Sequence, residues 1–303
     1  MRVIVRDKKQ VTRQTKWTCL AFLLISLLAN VTSGSRIFGL RWKTFGSDFG
    51  GDEGVRRVRW VSSVLPATSD APETGGVLAV NYINLKSRLD RKVSIEQQLS
   101  RMQIPFTRTE AVDVRRNLTA LNDCWDESDL NRCAGKQGCK ESHLKVLETH
   151  MLSGRKNPIV VFEDDFVWLE HVEPSYVPSL ILDFAERFPD WKVIGLSMNI
   201  FDKHHTNVTV TVGSNVRGTS EIVEIRNAQT THGYAVRSPY LPILVQAFRE
   251  CNVKGSFLAA IDQCWKPLQA LGGWYGFSPQ LGTQKPGHSD IENTDVAYSI
   301  TAE

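Results

Sequence analysis

Beyond residue 76 the chain sets short, nearly continuous apolar runs against longer stretches where polar and apolar residues mix at helical spacing. Val77 to Asn84 reads as a first strand, because β-branched and aromatic residues in a short run suit a pleated surface packed on both faces. A helical stretch follows over Lys92 to Met102, and a second strand opens at Pro105 and ends near Val112. A Cys-bearing insertion, Leu118 to Gly138, leads into a helix from Cys139 to Ser153. Ile159 to Phe162 reads as a buried strand, Val177 to Phe188 as a helix, and Lys192 to Leu196 as a further strand. This alternation predicts an α/β sheet with ligands gathered at the carboxyl ends of parallel strands.

The pattern changes before residue 77. Trp17 to Val31 carries no charge and spans about 15 residues, or about 18 with Thr32 to Gly34, the low end for a membrane-spanning helix. Arg2, Arg6, Lys8, Lys9, Arg13 and Lys16 precede it against Asp7 alone, which keeps the N-terminus cytosolic. The long basic stretch and the lack of a small-x-small cleavage site favour a retained signal anchor over a cleaved signal peptide, and either delivers the remainder to the secretory lumen. Residues 35–76 contain GSDFGGDEG and PATSDAPETGG, lack periodicity, and read as a flexible stem. The expected organisation is a cytosolic tail over 1–16, an anchor over 17–34, a stem over 35–76 and one lumenal domain over 77–303.

Composition agrees with one folded domain. Of 303 residues, 42% are hydrophobic and 23% charged, a globular balance. The formal charge of +3 includes the basic tail, so the folded part is slightly acidic, which argues against a nucleic-acid partner. Asn30, Asn117 and Asn207 each open an Asn-x-Thr glycosylation tripeptide. In an oxidising lumen the nearest cysteine pairs are Cys124 with Cys133 and Cys251 with Cys264, leaving Cys139 as a thiol; spacing alone leaves this connectivity open. A zinc site is the weaker alternative, since no CxxC or HxxxH pair occurs.

Candidate chemistry centres on Glu163, Asp164 and Asp165, which follow the Ile159–Phe162 run with no turn residue between. Adjacent carboxylates repel and lose hydration when buried, unless a cation sits among them. In extended backbone Glu163 and Asp165 point one way and Asp164 the other. Hard oxygen ligands on a strand end suit a divalent cation that bridges a diphosphate. The competing reading is a solvated acidic turn or a helix N-cap.

Three ordered blocks carry a resemblance: VNYINLKSRLDRKVSIEQQLSRMQIPFTRTEAVD (Val80 to Asp113), GKQGCKESH (Gly135 to His143) and the acidic triplet. Together they resemble glycosyltransferase family 25, which includes lipooligosaccharide galactosyltransferases and collagen hydroxylysine galactosyltransferases. The resemblance implies a GT-A-like nucleotide-sugar-binding fold and an inverting, metal-dependent transfer of galactose from UDP-galactose to a protein or glycan hydroxyl. It puts Asp165 on Mn²⁺, with Glu163 and Asp164 reaching the donor's sugar and ribose. Asn84, Arg88 and Arg91 then lie beside the uracil and phosphates, and His288 completes the metal shell. Asp262, in AAIDQCW, takes the acceptor's proton. His143 reads more readily as a packed histidine than as a ligand, and Tyr234 as core or donor contact alike. A non-catalytic lectin or partner protein that keeps the fold is the alternative, and a structural Ca²⁺ site is a third reading.

The short apolar segment also favours the thinner membranes of the early secretory pathway, so the expected location is the endoplasmic reticulum or Golgi. Protease added to sealed microsomes should trim only the basic tail and leave everything beyond Ser35 protected. Digestion of the C-terminal domain in intact vesicles would overturn this topology.

Overall fold

The computed structural model describes residues 78–116, 130–213, 218–251, 260–291 and 294–296, all within one unit spanning Glu73–Glu303. Strand β1 (Ala79–Asn84) leads through helix α1 (Leu89–Ser100) to β2 (Thr107–Glu110), and helix α2 (Leu130–Leu152) precedes β3 (Ile159–Glu163). Then come the short β4 (Phe166–Trp168), helix α3 (Val177–Arg187) and two long strands, β5 (Val193–Thr211) and β6 (Thr219–Val236). Helix α4 (Leu241–Arg249) and the short helices α5 (Ile261–Cys264) and α6 (Lys266–Gln269) lead to β7 (Trp274–Ser278). Three short strands end the described chain: β8 (Gly282–Gln284), β9 (Gly287–Ser289) and β10 (Thr294–Val296).

Six of these strands share one sheet in the order β2–β1–β3–β6–β5–β7. The β2, β1 and β3 strands are mutually parallel, as the alternation of apolar runs and helices predicts. Beyond β3 the sheet turns antiparallel, because β6 pairs against both β3 and β5. The α/β class therefore holds, but the sheet is mixed. Only the first residues of β5 were legible as a strand. Its outer half, from Asn199 onward, is polar and largely exposed, and is held by the β6 ladder instead of by burial of an apolar face.

Both faces of β3 are covered, which explains its unbroken apolar run. Val160 and Phe162 join a cluster with Tyr82, Leu99, Phe166 and Trp191 on one face. Ile159 and Val161 join Tyr234, Phe248, Trp265 and Trp274 on the other. The 3.3 Å-per-residue pleat sends successive side chains to opposite cores and so fixes the register of the strand's end.

Helix α2 begins at Leu130, well before the expected start at Cys139. Gly135 and Gly138, placed before the helix by the sequence, both lie inside it, where they permit close backbone approach. A Cβ on Gly138 would stand 2.5 Å from the Val112 carbonyl oxygen, and one on Gly135 would stand 2.7 Å from Ile291 Cα. Ser142 Oγ accepts the Val112 N–H at 2.8 Å, so the helix is also bonded to the loop it touches.

The Cys251–Cys264 disulfide is present, with its Cα atoms 5.6 Å apart, and Cys139 is a free thiol. Cys133 is disulfide-bonded; its expected partner Cys124 lies outside the described residues. The same holds for the predicted tail, anchor and stem over 1–76 and for Asn30 and Asn117. Among the described residues no helix is long and apolar enough to cross a membrane. Asn207 is described, and it is exposed on β5.

The tight seat of α2 yields a direct test. Helix propensity alone favours Gly138→Ala by about 1 kcal/mol. The clash with the Val112 carbonyl should reverse that and destabilise the protein by about 1–3 kcal/mol, lowering Tm by several degrees. A variant that melts above the wild type would refute the close approach.

Candidate active site

Phe162 is wholly buried, so the three acids that follow it enter the protein and not solvent. Phe166 and Trp168 pack on Phe162, with ring centroids 4.7 and 5.7 Å away, and pin the chain again just beyond the acids. Asp164 and Asp165 are each only 8% exposed. The expected alternation is present. Asp164 turns toward β1 and α1, where its oxygens accept from Asn84 Nδ2 at 2.8 Å and Arg91 Nη1 at 2.9 Å. Glu163 and Asp165 converge instead with His232, and one ligand atom of each lies within 4.8 Å of the others.

His232 reaches the acids through an irregularity in β6. The β5–β6 ladder jumps from Ser197↔Gly233 to Asn199↔Gln229, so Thr230, Thr231 and His232 fall in the gap. Thr230 has φ of 71°, which is unfavourable for a β-branched residue. Asp262, in the first turn of α5, anchors it by accepting the Thr230 N–H at 3.1 Å. Such bulges re-aim side chains, and here the Thr231 hydroxyl donates to Glu163 Oε1 at 2.5 Å.

Arg91 is the cation nearest the acids. Its Nη1 bridges Asp164 and Asp165, at 2.9 and 3.2 Å, while Nη2 donates to the His288 carbonyl. Gln284 Nε2 donates to Asp165 Oδ2 at 2.9 Å, yet the buried Asp165 Oδ1 has no hydrogen-bond partner among the described residues. Burial, then the charge of Asp165, pushes the Asp164 carboxyl up to about 6 against the pull of Arg91 and Asn84. Asp165 is raised likewise, by burial and by Glu163. Burial also acts to raise Glu163, but His143, His232 and the Thr231 hydrogen bond outweigh it and hold that carboxyl below its ordinary range.

The remaining expected residues occupy different stations. Asn84 is buried and holds Asp164 in place while accepting from Arg108 Nε at 3.0 Å. Arg88 sits farther out, paired with Asp90 and Asp290. The His288 side chain does not join the acids. It is half-exposed and turns toward Asp295, 3.3 Å away, because the β9–β10 pairing sets the two opposite each other. His232 stands beside Glu163 and Asp165 instead. Tyr234 is core, with its hydroxyl 2.8 Å from His143 Nδ1. Sequence reading passed over His232, Thr231 and Gln284. Tyr234 was legible, but the nearness of Thr231 and His232 to the acids depends on the β6 irregularity.

These groups line a cavity of about 520 Å³, a size suited to a small-molecule ligand. Arg91, Glu163, Asp165, His232 and Asp262 all contribute to its wall. The sequence over residues 79–262 matches "Glycosyltransferase family 25 (LPS biosynthesis protein)". The chain belongs to glycosyltransferase family 25.

No curated protein matches the chain. Among solved structures, a glycosyltransferase involved in the glycosylation of the major capsid of PBCV-1 aligns with TM-score 0.38 and 10% identity, over 72% of this chain and 97% of its own. UDP-glucose pyrophosphorylase complexed with UDP-glucose aligns with TM-score 0.35 and 8% identity, over 72% and 97%. Its apo form gives TM-score 0.31 and 9% identity, over 69% and 90%. The matched family segment contains β1, the acidic turn, the β6 irregularity and Asp262, so most of the cavity wall lies inside it.

The raised Asp164 makes the stability of this family 25 domain depend on pH. The folded state holds that proton to about 6, whereas the unfolded chain releases it at the ordinary 3.8. Rising pH between those values therefore weakens folding, by up to about 3 kcal/mol from this group, and the loss is complete above it. In a metal chelator, the unfolding free energy of Asp164→Asn should gain on the wild type by about 2–3 kcal/mol between about pH 4 and pH 7. A difference that does not change with pH would show that Asp164 is not strained by burial.

Proposed function

We propose that the chain is a lumenal, Mn²⁺-dependent galactosyltransferase that moves galactose from UDP-galactose to a protein or glycan hydroxyl with inversion. One observation supports this most. In a family 25 cavity, Glu163, Asp165 and His232 bring donor atoms within 4.8 Å of one another, and Asp165 Oδ1 has no hydrogen-bond partner among the described residues. Two carboxylates with one imidazole suit Mn²⁺ better than Ca²⁺, which takes oxygen ligands alone. In this reading Asp165 remains a metal ligand, Glu163 joins it, and His232 takes the role expected of His288. The bound ion's contribution is positive charge against the departing nucleoside diphosphate.

The protein's own groups divide the remaining work. The acceptor oxygen attacks the anomeric carbon from the face opposite the diphosphate, and Asp262 takes its proton. The bond from that carbon to the diphosphate oxygen breaks, its electron pair leaves with UDP, and an α-linked donor gives a β-linked product. Arg91, already drawn to the acids, adds fixed positive charge at the phosphates, and Asn84 keeps Asp164 turned away from the reacting atoms. The expected setting is the endoplasmic reticulum or Golgi lumen, with residues 17–34 as the anchor.

Purified full-length chain offered a panel of UDP-sugars should release UDP fastest from UDP-galactose, and only with Mn²⁺. Asp262→Asn should lower kcat about 10²–10⁴-fold while donor binding is retained. Asp165→Asn should abolish the Mn²⁺ dependence together with turnover. Full Mn²⁺-dependent transfer by Asp165→Asn would remove the acidic triplet from the mechanism. No turnover with any donor, alongside tight glycan binding, would favour a non-catalytic lectin.

A further inference from the structure

Helix α2 presents ligand atoms that the proposed transfer leaves idle. Cys139 and His143 stand four residues apart, on one helical face, and that face meets the end of β3. One ligand atom each from Cys139, His143 and Glu163 lies within 4.8 Å of the others. His143 Nε2 and Glu163 Oε1 are 3.3 Å apart. Two ligands bonded at about 2.0 Å to one tetrahedral ion stand about 3.3 Å apart, so this pair is already at coordination spacing.

The imidazole is prepared for such a role. Its other nitrogen, Nδ1, meets the Tyr234 hydroxyl at 2.8 Å, and the Tyr234 ring stacks on it with centroids 5.7 Å apart. Both side chains are buried, so the ring cannot swing away. With Nδ1 held by the Tyr234 hydroxyl, Nε2 faces the Glu163 carboxylate, and the approach is not aligned as a hydrogen bond. A cation seated between Nε2 and the carboxylate takes both as ligands once the imidazole is neutral. Partners that hold the far nitrogen are a regular feature of metal-bound histidines. Cys139 is a free thiol, and all three residues line the cavity, which supplies a path for an ion.

We infer that Cys139, His143 and Glu163 form a second cation site, one that takes thiophilic Zn²⁺ or Cd²⁺ in preference to Mn²⁺. Sulfur, nitrogen and oxygen donors on three residues match a zinc site with its fourth position open to the cavity. As the metal–sulfur bond forms, the thiol proton is released to solvent. Glu163 belongs to both groups, so filling this site draws it from Asp165 and His232. In the transfer reaction proposed above, and resting on that proposal, Zn²⁺ antagonises Mn²⁺.

Co²⁺ titrated into the purified full-length chain, with absorbance as the readout, tests the site apart from any activity. One equivalent should produce a near-ultraviolet thiolate-to-Co²⁺ charge-transfer band that Zn²⁺ abolishes. The band should persist in Asp165→Asn and disappear in Cys139→Ser. Tyr234→Phe, which loses only the orienting hydroxyl, should keep the band but weaken Co²⁺ binding about tenfold. No band in the wild type, or the same band in Cys139→Ser, overturns the site. Where Cys139→Ser fails to fold, alkylation of Cys139 in the wild type decides: Zn²⁺ should slow it and Mn²⁺ should not, and equal rates with and without Zn²⁺ refute the inference. None of these readouts requires sugar transfer, so their failure is separable from failure of the proposed function.

Discussion

Three consecutive carboxylates carried into the interior on the end of a buried strand are the constraint around which this domain is arranged. Left alone, they would repel one another and lose their hydration, a cost of several kcal/mol per charge. Their neighbours divide the problem. Asn84 and Arg91 take Asp164, Gln284 takes one oxygen of Asp165, and Thr231 with His143 takes Glu163. The compensation is incomplete, since Asp164 and Asp165 still hold their protons more tightly than usual.

Distant parts of the chain are recruited to the same point. Asn84 arrives on β1 and Arg91 on α1, while Thr231 and His232 come from the distorted stretch of β6. Gln284 lies on β8, which pairs with β4 directly after the acids. Arg91 then extends the network to the His288 carbonyl, and Arg88 ties the same strap through Asp290. The strap therefore rests on the ion pairs of the acids and shares their fate.

Close backbone packing positions the other wall of the cavity. Helix α2 lies near enough to the Val112 carbonyl and to Ile291 that side chains at Gly138 and Gly135 would collide. That approach carries Cys139 and His143 to the end of β3, so the spacing of two glycines decides which groups line the floor. On the far side, Asp262 restrains Thr230 in a conformation a β-branched residue resists, and so keeps the neighbouring threonine and histidine aimed inward.

Much of this was legible in the residue order. The β1–α1–β2 unit, the buried β3 strand and the alternation of its acids follow from local rules of pleat period and β-branched runs, whereas Cys251–Cys264 was one pairing that spacing allowed and the fold decided. The three blocks that resemble family 25 are contiguous in sequence, and their match is sequence information by nature. The start of α2 was placed too late, because the close packing that its glycines permit is visible only once the neighbouring backbone is known. His232 was passed over, and His288 favoured, because which histidine meets the acids depends on a ladder irregularity in β6 and on the β9–β10 register. Both are properties of paired strands far apart in the chain. Residue order determined which groups the chain has to offer at the strand end, whereas strand pairing and helix approach decided which of them share a few ångströms of space.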